Sequence, residues 1–336
     1  MKKRGKGMGV MWYPVGPAGT PHPSAALAQV NEDGKLVVFT GAPDVGQGST
    51  TALAQIAADT LGVPLDWVRM VTADTEITPP DFGTLGSRVT YVTGHAVQIA
   101  VEQAKQTLLS VAGELLNTPA ENLEIGEGRV WGQDNPDLSL DIPTVAREAI
   151  LKRGKSPVGT GTFAPATTMA DRETGQGTPF PTYVYATHMA EVEVDTETGE
   201  VAVLRLVAAH DSGVVINPML TEGQIAGGVA QGIGMALSEE ILLRDGHTLN
   251  PNLMDYVIPT ALDVPDIHFI HVETHDDTGP YGAKCVGEPS LIPTAPAILN
   301  AIYDAVGVRI YDLPATPEKI LRALKAASKD APALIP

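Results

Sequence analysis

The sequence predicts an α+β fold, on three observations. Segments of alternating polarity pair into hairpins, closed at Asp33-Gly34 and at Thr198-Gly199. Longer segments carry apolar residues at helical spacing. The two kinds are mixed without the strict βαβ alternation that a doubly wound parallel sheet needs.

In order, Ser24–Gly41 reads as two strands around the Asp33-Gly34 turn. Gly46–Pro64 reads as a helix, with Ser49 or Thr50 as its cap and Gly62 and Pro64 as its stop. Leu65–Asp74 reads as a strand, and Gly83–Leu116 as a glycine-rich turn feeding a long helix. Glu121–Gly132 is a further hairpin. Residues 151–180, rich in Gly, Pro and Thr, read as a loop or linker, so a first lobe is expected over 1–155 and a second over 156–336. Tyr185–Gly213 is a hairpin of alternating strands, and Thr221–Leu242 a helix of small residues. His268–Asp277 alternates like a strand, which makes His268, His271 and His275 strand or surface residues, not a zinc set. Asp276-Asp277 reads as a solvated loop. Pro314–Lys329 is an amphipathic helix with Thr316 as cap.

Composition narrows the function. Among 336 residues, 22 Lys+Arg stand against 40 Asp+Glu, a net charge of −18. Such a surface repels nucleic acid and anionic lipid. No run approaches a membrane span. The basic start, Met1–Gly16, lacks the apolar stretch of a secretory signal, so the cytoplasm is expected. One cysteine, Cys285, permits neither a disulfide within the chain nor a Cys-held iron–sulfur cluster.

Three segments, Asp44–Gln55, Gly83–Val97 and Gly223–Leu237, each set a glycine-flanked polar residue at or near an expected helix start. Turns of this kind expose backbone N–H groups to a bulky, anionic, hydrogen-bonding ligand. None matches a P-loop or a dinucleotide fingerprint. In the stretch Tyr281–Ile298, Glu288 is fixed between Gly287 and Pro289 inside an apolar run. That placement suits a carboxylate that moves a proton; a solvated acid is the plainer reading.

The segments "GAPDVGQGSTTALAQ", "GTLGSRVTYVTGHAV", "HDSGVVINPMLTEGQIAGG" and "YGAKCVGEPSLIPTAPAI" closely resemble the xanthine dehydrogenase/aldehyde oxidase family. The likeness is to the C-terminal half of its molybdenum-binding subunit. In extent the chain resembles the medium molybdopterin subunit of nicotinate dehydrogenase, a split form. The resemblance implies an α+β cofactor-binding module of two lobes of mixed sheets packed with helices. It implies molybdopterin carrying molybdenum, in bacteria usually as the cytosine dinucleotide. Carried over residue by residue, it places Gly46, Gln47 and Gly48 along the pterin, and Gly86, Ser87, Arg88, Val89 and Thr90 near the metal. Gln224 would hydrogen-bond the pterin, and Lys284 belongs to the turn that ends in the catalytic Glu288. Read from the residues alone, a structural salt-bridge partner is the minority reading of Arg88. Cys285 departs from the family's small residue at its position.

The implied reaction is oxidative hydroxylation of an N-heteroaromatic, nicotinate-like substrate, with water as oxygen source. Glu288 would be the base, its pKa raised by partial desolvation. Purine or aldehyde oxidation is the alternative within that chemistry, and a non-catalytic assembly subunit the alternative outside it. Implied partners are a large molybdopterin subunit that completes the site, a 2Fe-2S subunit and an FAD subunit.

Overall fold

A computed structural model describes residues 1–330. Its strands are β1 (Lys2–Pro14), β2 (Ser24–Val30), β3 (Leu36–Thr40), β4 (Val68–Thr72), β5 (Leu123–Gly126), β6 (Arg129–Gly132), β7 (Asn135–Asp141), β8 (Val158–Phe163), β9 (Tyr183–Asp195), β10 (Val201–Asp211), β11 (Leu243–Arg244), β12 (His247–Thr248) and β13 (Asp266–His271). Its helices are α1 (Ser49–Leu61), α2 (Gly94–Leu116), α3 (Ile142–Arg147), α4 (Pro218–Leu237), α5 (Thr294–Val306) and α6 (Pro317–Asp330).

The chain forms two compact units. The first comprises Met1–Tyr13, Val184–Thr274 and Val286–Pro336; the second comprises Pro14–Tyr183 and His275–Cys285. These bounds differ from the continuous lobes 1–155 and 156–336. Strand pairing explains the difference, because β1 joins the sheet of β9, and β8 joins that of β2.

In the second unit the sheet order is β4-β3-β2-β8. The expected hairpin is present, with Ala28 opposite Val38, and α1 links β3 to the parallel strand β4. Leu65–Trp67, expected as strand, is instead a short 3-10 turn ahead of β4. The expected hairpin β5–β6 gains a third strand, β7. Asp141 then caps α3 by accepting from Thr144 N–H.

Strand β8 overturns the loop expected over residues 151–180. Its glycines lie against α2: a Cβ on Gly159 would stand 1.9 Å from the carbonyl oxygen of Ala100, and one on Gly161 2.0 Å from that of Ala96. The glycines are there because a helix backbone presses on the strand, not because the chain turns. β1 in the first unit repeats the device. Gly5, Gly7 and Gly9 alternate along it against the backbone of Pro293, Ala297 and Ala301.

The first unit's sheet runs β1-β9-β10-β13, with β10 antiparallel to β9 and parallel to β13. One face packs on α4, α5 and α6 through Val192, Val194, Leu206, Ile225, Val229, Ile298, Ile302 and Ile320. Thr316 caps α6 as expected, accepting from Lys319 N–H at 3.4 Å. Among the described residues no helix is long and apolar enough to cross a membrane.

Candidate functional site

In the second unit, the loop before α1 carries Gly46, Gln47 and Gly48. Neither Ser49 nor Thr50 caps the helix. Gly48 is the N-cap residue in the left-handed region, and the Asp44 carboxylate accepts from the N–H groups of Gly46 (2.9 Å), Gly48 (3.3 Å) and Thr50 (3.0 Å). Burial raises the pKa of Asp44, but these bonds outweigh it and hold the carboxyl below its ordinary value. The anion at this helix start is therefore the chain's own. Gln47 serves the same loop. Its Oε1 accepts from Val45 N–H (2.6 Å), and its Nε2 donates to Pro43 O (3.1 Å) and Ser49 Oγ (2.8 Å).

The neighbouring loop carries Gly86, Ser87 and Arg88. Gly86 and Ser87 both stand at positive φ, 56° and 50°. Val89 and Thr90 then open a π-helical turn, Val89–Thr93, that leads into α2. Arg88 is the largest buried polar residue, with 0% exposure. All five of its N–H donors are used inside the unit. Nε donates to His22 Nδ1 (3.1 Å); Nη1 donates to Asp81 Oδ1 (2.9 Å) and Gly83 O (3.0 Å); Nη2 donates to His22 O (2.8 Å) and Ser24 Oγ (2.6 Å). Burial pushes its pKa down and Asp81 pulls it back up. The structural reading of Arg88 holds for its side chain. Ser24 and Thr93 close the network around Asp81, and none of the partners His22, Ser24, Asp81 and Thr93 stood out in the sequence.

These two loops touch through Thr84 Oγ1, which donates to Pro43 O at 2.7 Å. Gly46 (φ 109°) and Gly83 (φ 97°) have no atom within 4 Å of where a Cβ would stand. A flat, hydrogen-bonding group can reach the backbone at both. This fits a pterin held by backbone and neutral groups, with no cation on offer from Arg88.

Lys284 and Cys285 also belong to the second unit, and both are buried. Asp276 nearby is not merely a solvated loop residue. It accepts from the hydroxyls of Thr182 and Thr278. Burial raises its pKa, but these bonds and the Lys284 charge bring it below its ordinary value.

Gln224 and Glu288 lie in the first unit. Gln224 is not at a helix start. Helix α4 begins at Pro218, capped by Asn217, so Gln224 sits in its second turn. Its neighbour one turn on, Gly227, has nothing within 4 Å of a Cβ position. Glu288 opens the 3-10 turn Glu288–Ser290. Ser290 N–H and Ser290 Oγ both donate to Gly287 O, at 3.3 and 2.6 Å, and Leu291 N–H donates to Glu288 O at 3.1 Å. The expected stiff turn is present. The expected desolvation is not, since Glu288 is exposed in this chain.

Beneath that turn lies a cluster that the sequence did not single out. His188 Nδ1 is 3.0 Å from Thr294 Oγ1, and His188 Nε2 is 2.8 Å from His210 Nε2. Both histidines are buried. Burial, and for His188 then the charge of His210, pushes them down to about 3 (His188) and about 4 (His210). The alternation of β9 and β10, with His188 in line with Ala186 and Ala190 and His210 in line with Leu206 and Ala208, was the signal that could have found them. As expected, His268 and His271 lie on a strand, β13. No group of three metal-ligating side chains occurs among the described residues.

A family model described as the molybdopterin cofactor-binding domain matches residues 1–265. The putative xanthine dehydrogenase molybdenum-binding subunit of Escherichia coli K12 is 34% identical over 331 residues, covering 95% of this chain and 42% of that protein. The nicotine 6-hydroxylase large subunit of Paenarthrobacter nicotinovorans is 34% identical over 304 residues, 89% of this chain and 36% of that one. Among solved structures, quinoline 2-oxidoreductase of Pseudomonas putida 86 superposes with a TM-score of 0.87 at 33% identity, over 96% of this chain and 42% of that chain. The chain thus spans about two fifths of the length of such relatives.

Proposed function

Since the chain belongs to the molybdopterin cofactor-binding domain family, we propose that it is the Glu288-bearing part of a molybdenum hydroxylase acting on an N-heteroaromatic, nicotinate-like substrate. The carrying observation is the Glu288 turn: a carboxylate held by a hydrogen-bonded turn and presented outward from its unit. The cofactor, when bound, supplies a two-electron acceptor and a centre at which water-derived oxygen is transferred. A base must take a proton as the new C–O bond forms, and that proton is accepted at a carboxylate oxygen of Glu288. Gly46, Gly48, Gly86, Ser87, Val89 and Thr90 offer the pterin backbone and small neutral groups. Gln47 and Arg88 act from behind, bracing the loops, while Gln224 bonds the pterin from α4 and Lys284 steadies the segment that leads to Gly287. The cytosine dinucleotide form is part of this reading, as is a cytoplasmic setting.

Relatives named for nicotine and quinoline favour the heteroaromatic class. Those named for xanthine and aldehyde keep the purine and aldehyde alternatives as outcomes of a substrate screen. We place the remaining walls of the site on a large molybdopterin subunit, and the electron path on 2Fe-2S and FAD subunits. The segment from Ile241 to Leu262 supports such a partner: Leu253, Met254 and Leu262 are 72%, 88% and 96% exposed. A partner surface would also supply the desolvation that Glu288 lacks here.

The test is Glu288→Gln in the co-purified complex. Turnover should fall by about 10²–10⁴ with molybdenum content unchanged. A rate within about threefold of the parent, far short of a base's usual contribution, shows that the proton goes elsewhere. Parent activity confined to a complex from which this chain can be stripped would favour the assembly-subunit alternative.

A further inference from the structure

Resting on the reading of Glu288 as base, we propose that Thr294 and His188 are positioning residues that fix the Glu288–Ser290 turn from below. Thr294, the first residue of α5, sits under the turn and donates a long bond (3.5 Å) to Ser290 O. Its hydroxyl is in turn fixed by His188 of β9, which is held by His210 of β10. Helix α4 forms the other side of this seat. A Cβ on Gly228 would stand 2.1 Å from Ser290 Oγ, and one on Gly232 2.4 Å from Thr294 Cβ. The two glycines let α4 close onto the turn, so Ser290 and Thr294 have no room to shift.

The ring tautomers allow two proton arrangements, and the seat uses one of them. In it the Thr294 hydroxyl donates to Ser290 O, which can only accept, and accepts from His188 Nδ1–H. His188 Nε2 is then the acceptor facing His210 Nε2–H. A second proton on His188 would set two N–H groups against each other at 2.8 Å. The seat therefore needs His188 neutral, and burial favours the neutral form of both rings. Beyond them on the same face lie His271, paired with His210 across β10 and β13, and Glu222 of α4, 3.3 Å from His271 Nε2.

The experiment uses the molybdenum-loaded complex and reads amide exchange at Ser290 and Leu291 alongside kcat and KM. Thr294→Val keeps the shape and removes the hydroxyl; Thr294→Ser keeps the hydroxyl. Thr294→Val should speed exchange at these two amides by about tenfold, one lost hydrogen bond. It should lower kcat by up to about a hundredfold, the order expected for a misplaced reacting group, with KM and molybdenum content unchanged. Thr294→Ser should behave like the parent in both. His188→Asn, whose amide N–H stands near the ring's Nδ1 position, should retain more protection than His188→Leu. Parent-like exchange in both Thr294→Val and His188→Leu overturns the proposal, as does equal loss in Thr294→Val and Thr294→Ser. Glu288→Gln run in parallel separates the two ideas: a fast Glu288→Gln enzyme sinks the base, while the exchange data still judge the seat.

Discussion

Replacing Arg88 by methionine tests whether the "GSR" segment is rigid because of its buried ion pair. The side chains of Arg88 and Asp81 are 0% and 1% exposed, so solvent does not screen them. Removing one partner of such a pair costs about 3–5 kcal/mol, because the other charge stays buried. The carbonyls of His22 and Gly83 also lose a donor, at about 1–3 kcal/mol each if taken alone. They belong to one network, so these costs do not add, and methionine fills much of the vacated volume. The expected loss in unfolding free energy is therefore about 3–5 kcal/mol, a large part of the roughly 5–15 kcal/mol typical of a domain. Urea titration followed by tryptophan fluorescence measures it, in a Trp12→Phe background. Trp67 and Trp131, the remaining reporters, lie in the same unit as Arg88. Adding Asp81→Asn to Arg88→Met should recover at least about 1 kcal/mol, the coupling expected of a direct pair. A loss below about 1 kcal/mol, or no coupling to Asp81, would refute the claim that this pair fixes the loop.

Two further predictions concern charge and pH. Asp44→Ala removes the acceptor for three N–H groups at the start of α1 and should destabilise the second unit by about 1 kcal/mol, within the usual range for a lost cap; an unchanged urea midpoint would count against it. His188 and His210 have pKa values depressed by burial, so the unfolded chain binds their protons first. Stability should be full above about pH 6.5 and fall towards pH 4, by up to about 1.4 kcal/mol per pH unit per histidine. His22 and His95, also lowered by burial, act with the same sign. The depressed Asp44 and Asp276 act in the same sense at lower pH, their stabilisation being lost as pH falls through their lowered pKa values. Urea midpoints at pH 7.5, 5.5 and 4.5 for the parent and His210→Asn isolate the pair; equal slopes would show that His210 does not stay neutral.

Local pattern was enough for much of the fold. The β2–β3 and β9–β10 hairpins, the long helix α2 and the cap of α6 each follow from period and turn chemistry within about twenty residues. The family motifs, too, were readable in order, because they are contiguous. Strands β1 and β8 were not, although their glycines alternate with a period of two. Glycine in a sequence signals freedom, and only the helix backbones of α5 and α2 turn that alternation into a requirement for close packing.

The sequence by itself determined the family, the hairpins and the place of Glu288 in a glycine–proline turn, because those depend on neighbours along the chain. Tertiary structure alone decided what the polar residues do. Arg88 spends its five donors on partners from 5 to 66 residues away. Asp44 occupies the helix start that looked open to a ligand, and His188 and Thr294, 106 residues apart, meet beneath the Glu288–Ser290 turn. A hydrogen bond acts over about 3 Å, and which groups come within that distance depends on how sheets and helices pack, which no single segment records.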